Sequence, residues 1–232
     1  MHRNAEPGIL YVGTPVVLIS SMNEDGSANL SPMSSAFWLG WRCVLGLDMT
    51  SKTPENLLRT GECVLNLPSE DMVDAVDRIA RTTGSNPVPR RKERRGYRHE
   101  RDKFATARLT QTRSETVTPP RVMECPIQLE AVVEASHGLA ENDPELSGRT
   151  LVVEVRVRRV HVDETLLLAG DTDRIDPDRW RPLIMSFQQF YGLTPQRLHT
   201  SELGKIPERM YRSPDVDRAH HEAARGAPSR AD

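Results

Sequence analysis

Aromatic side chains are scarce in this chain, with four Phe, four Tyr and three Trp among 232 residues. Few groups are therefore available to stack on bases, and a formal net charge of -2 adds no pull towards nucleic acid or anionic lipid. No apolar run approaches the roughly 20 residues that cross a bilayer. Met1–Gly8 lacks the apolar core of a secretory signal, so the expected location is the cytoplasm. Cys43, Cys63 and Cys125 form no CxxC or zinc-type spacing. Cys43 and Cys63 sit inside apolar runs, where cysteine acts as a small buried hydrophobe. The histidines form no metal set either, and no metal site is expected. Within Thr14–Ser69 there is no Cys/His cluster and no nucleophile with a base beside it.

What Thr14–Ser69 does contain is strand pattern interleaved with anion-holding groups. Pro15–Met22 is β-branched and apolar, and Asp25-Gly26 after it is a hairpin signal. A return strand is predicted from Ser27 to Ser31, then strands at Ala36–Trp41 and Cys43–Met49. Thr53–Thr60 reads as a short helix with Thr53 as N-cap, Pro54 in the first position and Gly61 as the stop. Glu62–Leu67 is the next strand, and Ser69 opens a helix with Met72, Val73, Val76, Ile79 and Ala80 on one face.

Residues 81–121 change character. Pro87, Pro89 and a basic run from Arg90 to Lys103 leave little to bury. This segment is expected to be a loop-rich excursion, ordered only where something packs on it. Its charges suit a solvated loop, a lid for an anionic substrate such as the 2′-phosphate of NADPH, or a nucleic-acid surface. Strand pattern resumes at Ile127–Val133 and at Thr150–Val162, which alternates like a long antiparallel strand. A helical turn is expected over Asp176–Leu183. Beyond Pro214 the chain is charged and poor in apolar anchors. The organisation predicted is one domain, 1–212, with 213–232 as a mobile tail. Many short strands with two modest helices describe a mainly β antiparallel barrel with flanking helices.

Two features could carry chemistry. Asn29-Leu30-Ser31-Pro32-Met33-Ser34-Ser35 is rich in small polar groups, which suit an ordinary polar turn or hydrogen bonds to a ligand. Lys52 and Thr53 stand at a predicted helix N-terminus, where free N–H groups and a partial positive charge favour an anion. Together they suggest a phosphate cradle.

The ordered succession GTPVVLISSMNEDGSANLSPMSSAF and SKTPENLLRTGECVLNLPS resembles the flavin reductase-like family of FMN-binding split barrels. Val160-His161-Val162-Asp163 and the segment from Asp176-Pro177 to Tyr191-Gly192 extend the likeness, which covers roughly residues 8–195. The resemblance implies an antiparallel, Greek-key split barrel that binds FMN at the subunit interface of a homodimer. It implies an enzyme passing hydride from NADH or NADPH to FMN, and then to a small organic acceptor, oxygen or a partner monooxygenase. A flavin carrier or sensor without turnover, or an enzyme oxygenating a small molecule with bound flavin, are the alternatives. Carried over by position, Ser20, Ser21, Asn29, Leu30 and Ser31 would line the flavin ring. Ser34, Ser35, Lys52 and Thr53 would lie near the ribityl phosphate. His161 is the candidate catalytic residue, with an exposed strand histidine as the plain alternative. Met33 stands where many relatives have an aromatic residue, which implies a differently shaped cavity beside the ring.

Overall fold

A computed structural model describes residues 1–226. Its main sheet has seven antiparallel strands. They are β1 (Val17–Met22), β2 (Ala28–Met33), β3 (Ala36–Leu39), β4 (Arg42–Asp48), β5 (Glu62–Leu67), β6 (Ile127–Gly138) and β7 (Thr150–Val162). Their order across the sheet is β2-β1-β5-β6-β7-β4-β3. The outermost strands, β2 and β3, are consecutive in the chain and joined only by Ser34 and Ser35. Two linking residues reach at most about 11 Å, so the sheet has to roll until its edges approach each other. The outcome is the mainly β split barrel that the strand pattern predicts.

Strand alternation decides what each face buries. Val17 and Ile19 point into the barrel with Leu45, Leu65, Leu129 and Val153. Their neighbours Val16 and Leu18 point outward, joining Leu30 under the helices. Helix α1 (Lys52–Thr60) closes one mouth of the barrel, with Leu57 in the interior cluster and Gly61 ending it in the left-handed conformation. Helices α2 (Val73–Ala80) and α3 (Lys103–Ala107) cover the outer face through Val76, Ile79, Phe104 and Ala107. No helix among the described residues is long and apolar enough to cross a membrane.

Two segments are better anchored than their composition suggests. The 81–121 excursion buries Phe104, Ala107 and Leu109 in the outer cluster, so its few apolar residues land on one patch. In the segment expected as a tail, residues 214–226 form helix α4 (Pro214–Gly226), with Ala219 buried. Ion pairs dock it: Asp215 with Arg42 at 2.8 Å, and Glu222 with Arg158 at 2.8 Å and Arg156 at 3.3 Å. The arginines belong to β4 and β7, a pairing between distant segments that hydropathy does not signal. Residues 227–232 of that segment lie outside the described residues.

Candidate functional site

Helix α1 begins two residues earlier than its capping pattern predicts. Its N-cap is Ser51, in extended conformation and making no side-chain capping bond, and Thr53 lies inside the first turn. The reason is that Thr53 is engaged elsewhere: its hydroxyl accepts a hydrogen bond from Asn29 Nδ2 at 3.3 Å. The same amide donates to Ser21 Oγ at 3.5 Å. Asn56, one turn further along α1, donates to Ser21 Oγ at 3.1 Å and to Asn23 Oδ1 at 3.0 Å. Ser21, Asn29, Thr53 and Asn56 are all buried. They form a polar plug between the hairpin and the helix, and a buried polar group must be bonded in this way. The plug fixes where the first turn of α1 points its N–H groups.

Lys52 leads that turn. Its ammonium pairs with Glu55 on the exposed side of α1, an interaction worth at most about 1 kcal/mol at such a position. A phosphate can therefore displace Glu55. Gly84, from the excursion, presses on the same spot. A Cβ there would lie 2.8 Å from Asn29 Oδ1 and 3.2 Å from the Lys52 stem. Beside them opens a cleft of about 270 Å³, walled by the Asn23–Ser27 hairpin, Lys52, Gly84 and His99–Arg101. Lys92, also from the excursion, donates to Ser51 Oγ at 2.7 Å. A helix start without a side-chain cap and a lysine on each side could hold an anion, although Glu24, Asp25 and Glu100 also line the cleft.

The other sequence candidates are dispersed. Ser20 and Ser21 are adjacent, so alternation sends them to opposite faces. Ser20 faces outward and accepts from Asn66 Nδ2 at 2.9 Å, while Leu30 belongs to the outer apolar cluster. Neither side chain reaches the Lys52 cluster. Ser31 pairs with Ile19 on the inward-facing side of β2, Ser34 is half-buried, and exposed Ser35 sits against Gly46 of β4. Met33 packs on the interior cluster.

His161 is placed elsewhere again. A bulge in β7 between Val157 and Arg159 reverses the alternation, so Val160 and Val162 turn inward. His161 then faces the outside of the sheet, where Nε2 donates to Glu130 Oε1 at 2.8 Å. Glu130 is fully buried and also accepts from the N–H groups of Glu115 and Thr116 and from the Thr116 hydroxyl. Burial raises its carboxyl, but those hydrogen bonds, led by the one from His161, outweigh burial and bring it down to about 2. The pair is a saturated network under the 113–118 loop. Burial also pushes the Cys43 thiol up to about 12, and all three cysteines are buried. Such thiols are not nucleophiles near neutral pH.

Sequence reading passed over Asn56 and Gly84, and named Lys92 only as part of the basic run from Arg90 to Lys103. Asn56 had a signal: it lies three residues from Thr53, hence on the same face of α1. A glycine needed for close approach rather than for its torsion angles leaves no mark in sequence.

The family model described as "Flavin reductase like domain" matches residues 10–194. The YdfE protein of Bacillus subtilis (strain 168) is 38% identical over 191 residues, which are 82% of this chain and 89% of that protein. Among solved structures, the flavoredoxin of Desulfovibrio vulgaris (Miyazaki F) superposes with a TM-score of 0.68 at 20% identity, covering 88% of this chain and 100% of that one. Nitrilotriacetate monooxygenase component B from Bacillus cereus gives 0.65 at 22% identity, over 82% of this chain and 88% of the other. With the split barrel in place and this family model over most of its length, this chain belongs to the flavin reductase-like family.

Proposed function

We propose that this chain is an FMN-dependent oxidoreductase that takes hydride from NADH or NADPH and delivers it to a small organic acceptor, oxygen or a partner monooxygenase. The observation carrying this reading is the uncapped start of α1 with Lys52 beside it, in a member of a flavin reductase-like family. A bound flavin supplies the redox chemistry, accepting hydride from the nicotinamide and passing the electrons on. The chain's own residues bind and orient. The first-turn N–H groups of α1 and the Lys52 ammonium hold the phosphate, while Ser21, Asn29 and Asn56 keep that turn fixed. Ser31, Ser34 and Ser35 offer hydroxyls further along β2 and its exit for the rest of the flavin. No side chain has to carry a proton in the hydride step, so His161 serves by holding Glu130.

A homodimer with flavin at its interface accords with edge strand β3, whose Phe37 and Leu39 are 53% and 72% exposed. Such an apolar edge calls for a cover. Likeness to a monooxygenase component favours a partner monooxygenase, and likeness to a flavoredoxin favours a flavin retained on the protein. The expected location is the cytoplasm.

The activity is tested by mixing flavin-loaded protein anaerobically with NADH and, separately, NADPH. Bleaching of the visible flavin band is expected with at least one donor. Colour persisting with both would leave a flavin carrier and overturn the enzyme. For the phosphate contact, Lys52→Ala should weaken FMN binding by about 1–3 kcal/mol, the range for a charge-assisted hydrogen bond. The fold should be retained, and unchanged affinity would remove Lys52 from the site.

A further inference from the structure

Residues 195–213 lie beyond the stretch matched to the family and form an arm between the barrel and α4. Every residue from 195 to 212 is exposed. Two single turns of helix, Glu202–Lys205 and Glu208–Tyr211, interrupt the arm. Its charged groups are spent inside the protomer. Arg197 pairs with Asp178 at 2.6 Å and Glu208 with Arg174 at 3.1 Å, which ties the arm to the 171–181 segment. Lys205 pairs with Glu202 and Arg212 with Asp217, both at 2.6 Å, leaving Arg209 as the arm's remaining charge. Its apolar side chains do the opposite. Leu198, Leu203, Met210 and Tyr211 are all more than half exposed. Single exposed apolar residues are ordinary, but a set of them along one arm marks a contact surface.

The arm's end indicates what seats there. Ser213 lies against Gly40, where an added Cβ would stand 3.8 Å from its hydroxyl, and Gly40 follows Leu39 of β3. Met210 and Tyr211 thus come within three residues of the contact with β3, whose Phe37 and Leu39 form the exposed edge. That edge is too small to hold a partner by itself. A stable interface buries about 800 Å² on each side, whereas two apolar side chains offer at most about 400 Å². The arm supplies surface next to it. A second copy fits this surface better than a different protein does. With its charges paired internally, the arm offers little for a charged partner to complement, and interfaces between permanent identical partners are the more apolar kind. A two-fold interface also sets the same patch against itself, so apolar meets apolar.

We propose that the 195–213 arm is a dimerisation element, seating on a second copy of this chain beside the β3 edge. The inference rests on the homodimer reading above and extends that interface beyond the family-matched residues. The ion pairs to Asp178 and Arg174 hold the arm in place for the contact, and docked α4 anchors its far end.

The test is sedimentation equilibrium of the full chain over a concentration series. Wild type is compared with a Met210→Asp, Tyr211→Asp double variant and with Leu146→Asp. Both arm positions are exposed, so the double variant should fold, which far-ultraviolet circular dichroism checks. Leu146 is an exposed apolar residue in the turn between β6 and β7. The wild type should sediment as a dimer. In the double variant the dimer dissociation constant should rise by about tenfold or more, as loss of an interface anchor requires, while Leu146→Asp leaves it unchanged. A double variant that associates as tightly as the wild type overturns the role of the arm and leaves the homodimer reading intact. An equal rise in Leu146→Asp also overturns it, because any added surface charge would then suffice. A wild type that stays monomeric overturns the homodimer reading and this inference with it.

Discussion

Replacing Glu130 with alanine should destabilise the protein by about 3–5 kcal/mol, the range for removing one member of a buried charged network. The carboxylate is fully buried and gathers His161 Nε2, two backbone N–H groups and the Thr116 hydroxyl, with Arg121 Nε 3.7 Å away. Alanine would leave those donors facing a void with no acceptor. The same network predicts how stability depends on pH. In the unfolded chain the Glu130 carboxyl takes up a proton near its ordinary value of 4.5, whereas in the fold it stays ionised down to about 2. The unfolded state therefore binds more protons between those values. The contribution, about 3 kcal/mol by linkage, is fully present above pH 4.5 and lost as pH falls towards 2. Urea unfolding at neutral pH and at about pH 3 checks both statements. The alanine variant should unfold at lower urea and lose less stability on acidification than the wild type. Equal losses on acidification would show that Glu130 is not the group responsible.

The largest effect on flavin binding is expected from Gly84→Val. Even a Cβ at this position meets Asn29 Oδ1 at 2.8 Å and the Lys52 stem at 3.2 Å. Asn29 cannot simply turn away, because its amide is bonded to Thr53 and Ser21. A branched side chain would push the excursion off α1 or force Lys52 out of place. Overpacking of this kind costs up to about 3 kcal/mol, or about a hundredfold in FMN affinity. The outer core of Leu18, Leu30, Ile79 and Phe104 is untouched by the change. Thermal stability should therefore fall less than affinity. A Gly84→Val protein that binds FMN as the wild type does would show that the excursion has no part in the site.

The strand pattern was legible because burial has a period. Glu62–Leu67 and Thr150–Val162 appear with the bounds read from alternation, and Gly61 ends α1 as its capping role predicts. The hairpin after Asp25-Gly26 places β1 beside β2 in the expected way. Position by position, the site was less legible. Ser20 and Ser21 look like a unit in sequence but diverge in a strand, a consequence that the period of two already contained. The face that His161 takes was not legible for a different reason. A bulge shifts parity by one residue, and nothing in a run of alternating Val and Arg marks where it falls. Lys92 and Gly84 sit in a segment whose charge and prolines suit a solvated loop, a lid or a nucleic-acid surface alike. Their importance comes from where three separate elements converge, and that is set by packing between distant parts of the chain.

The central claim is that the start of α1 holds the phosphate of a flavin, and the affinity of the wild-type chain for FMN against riboflavin tests it most directly. The two ligands share their ring system and differ at the phosphate. The site around Lys52 predicts FMN binding tighter by about tenfold or more, as one or more charge-assisted contacts to phosphate require. Equal affinities, or no binding of either, would contradict it.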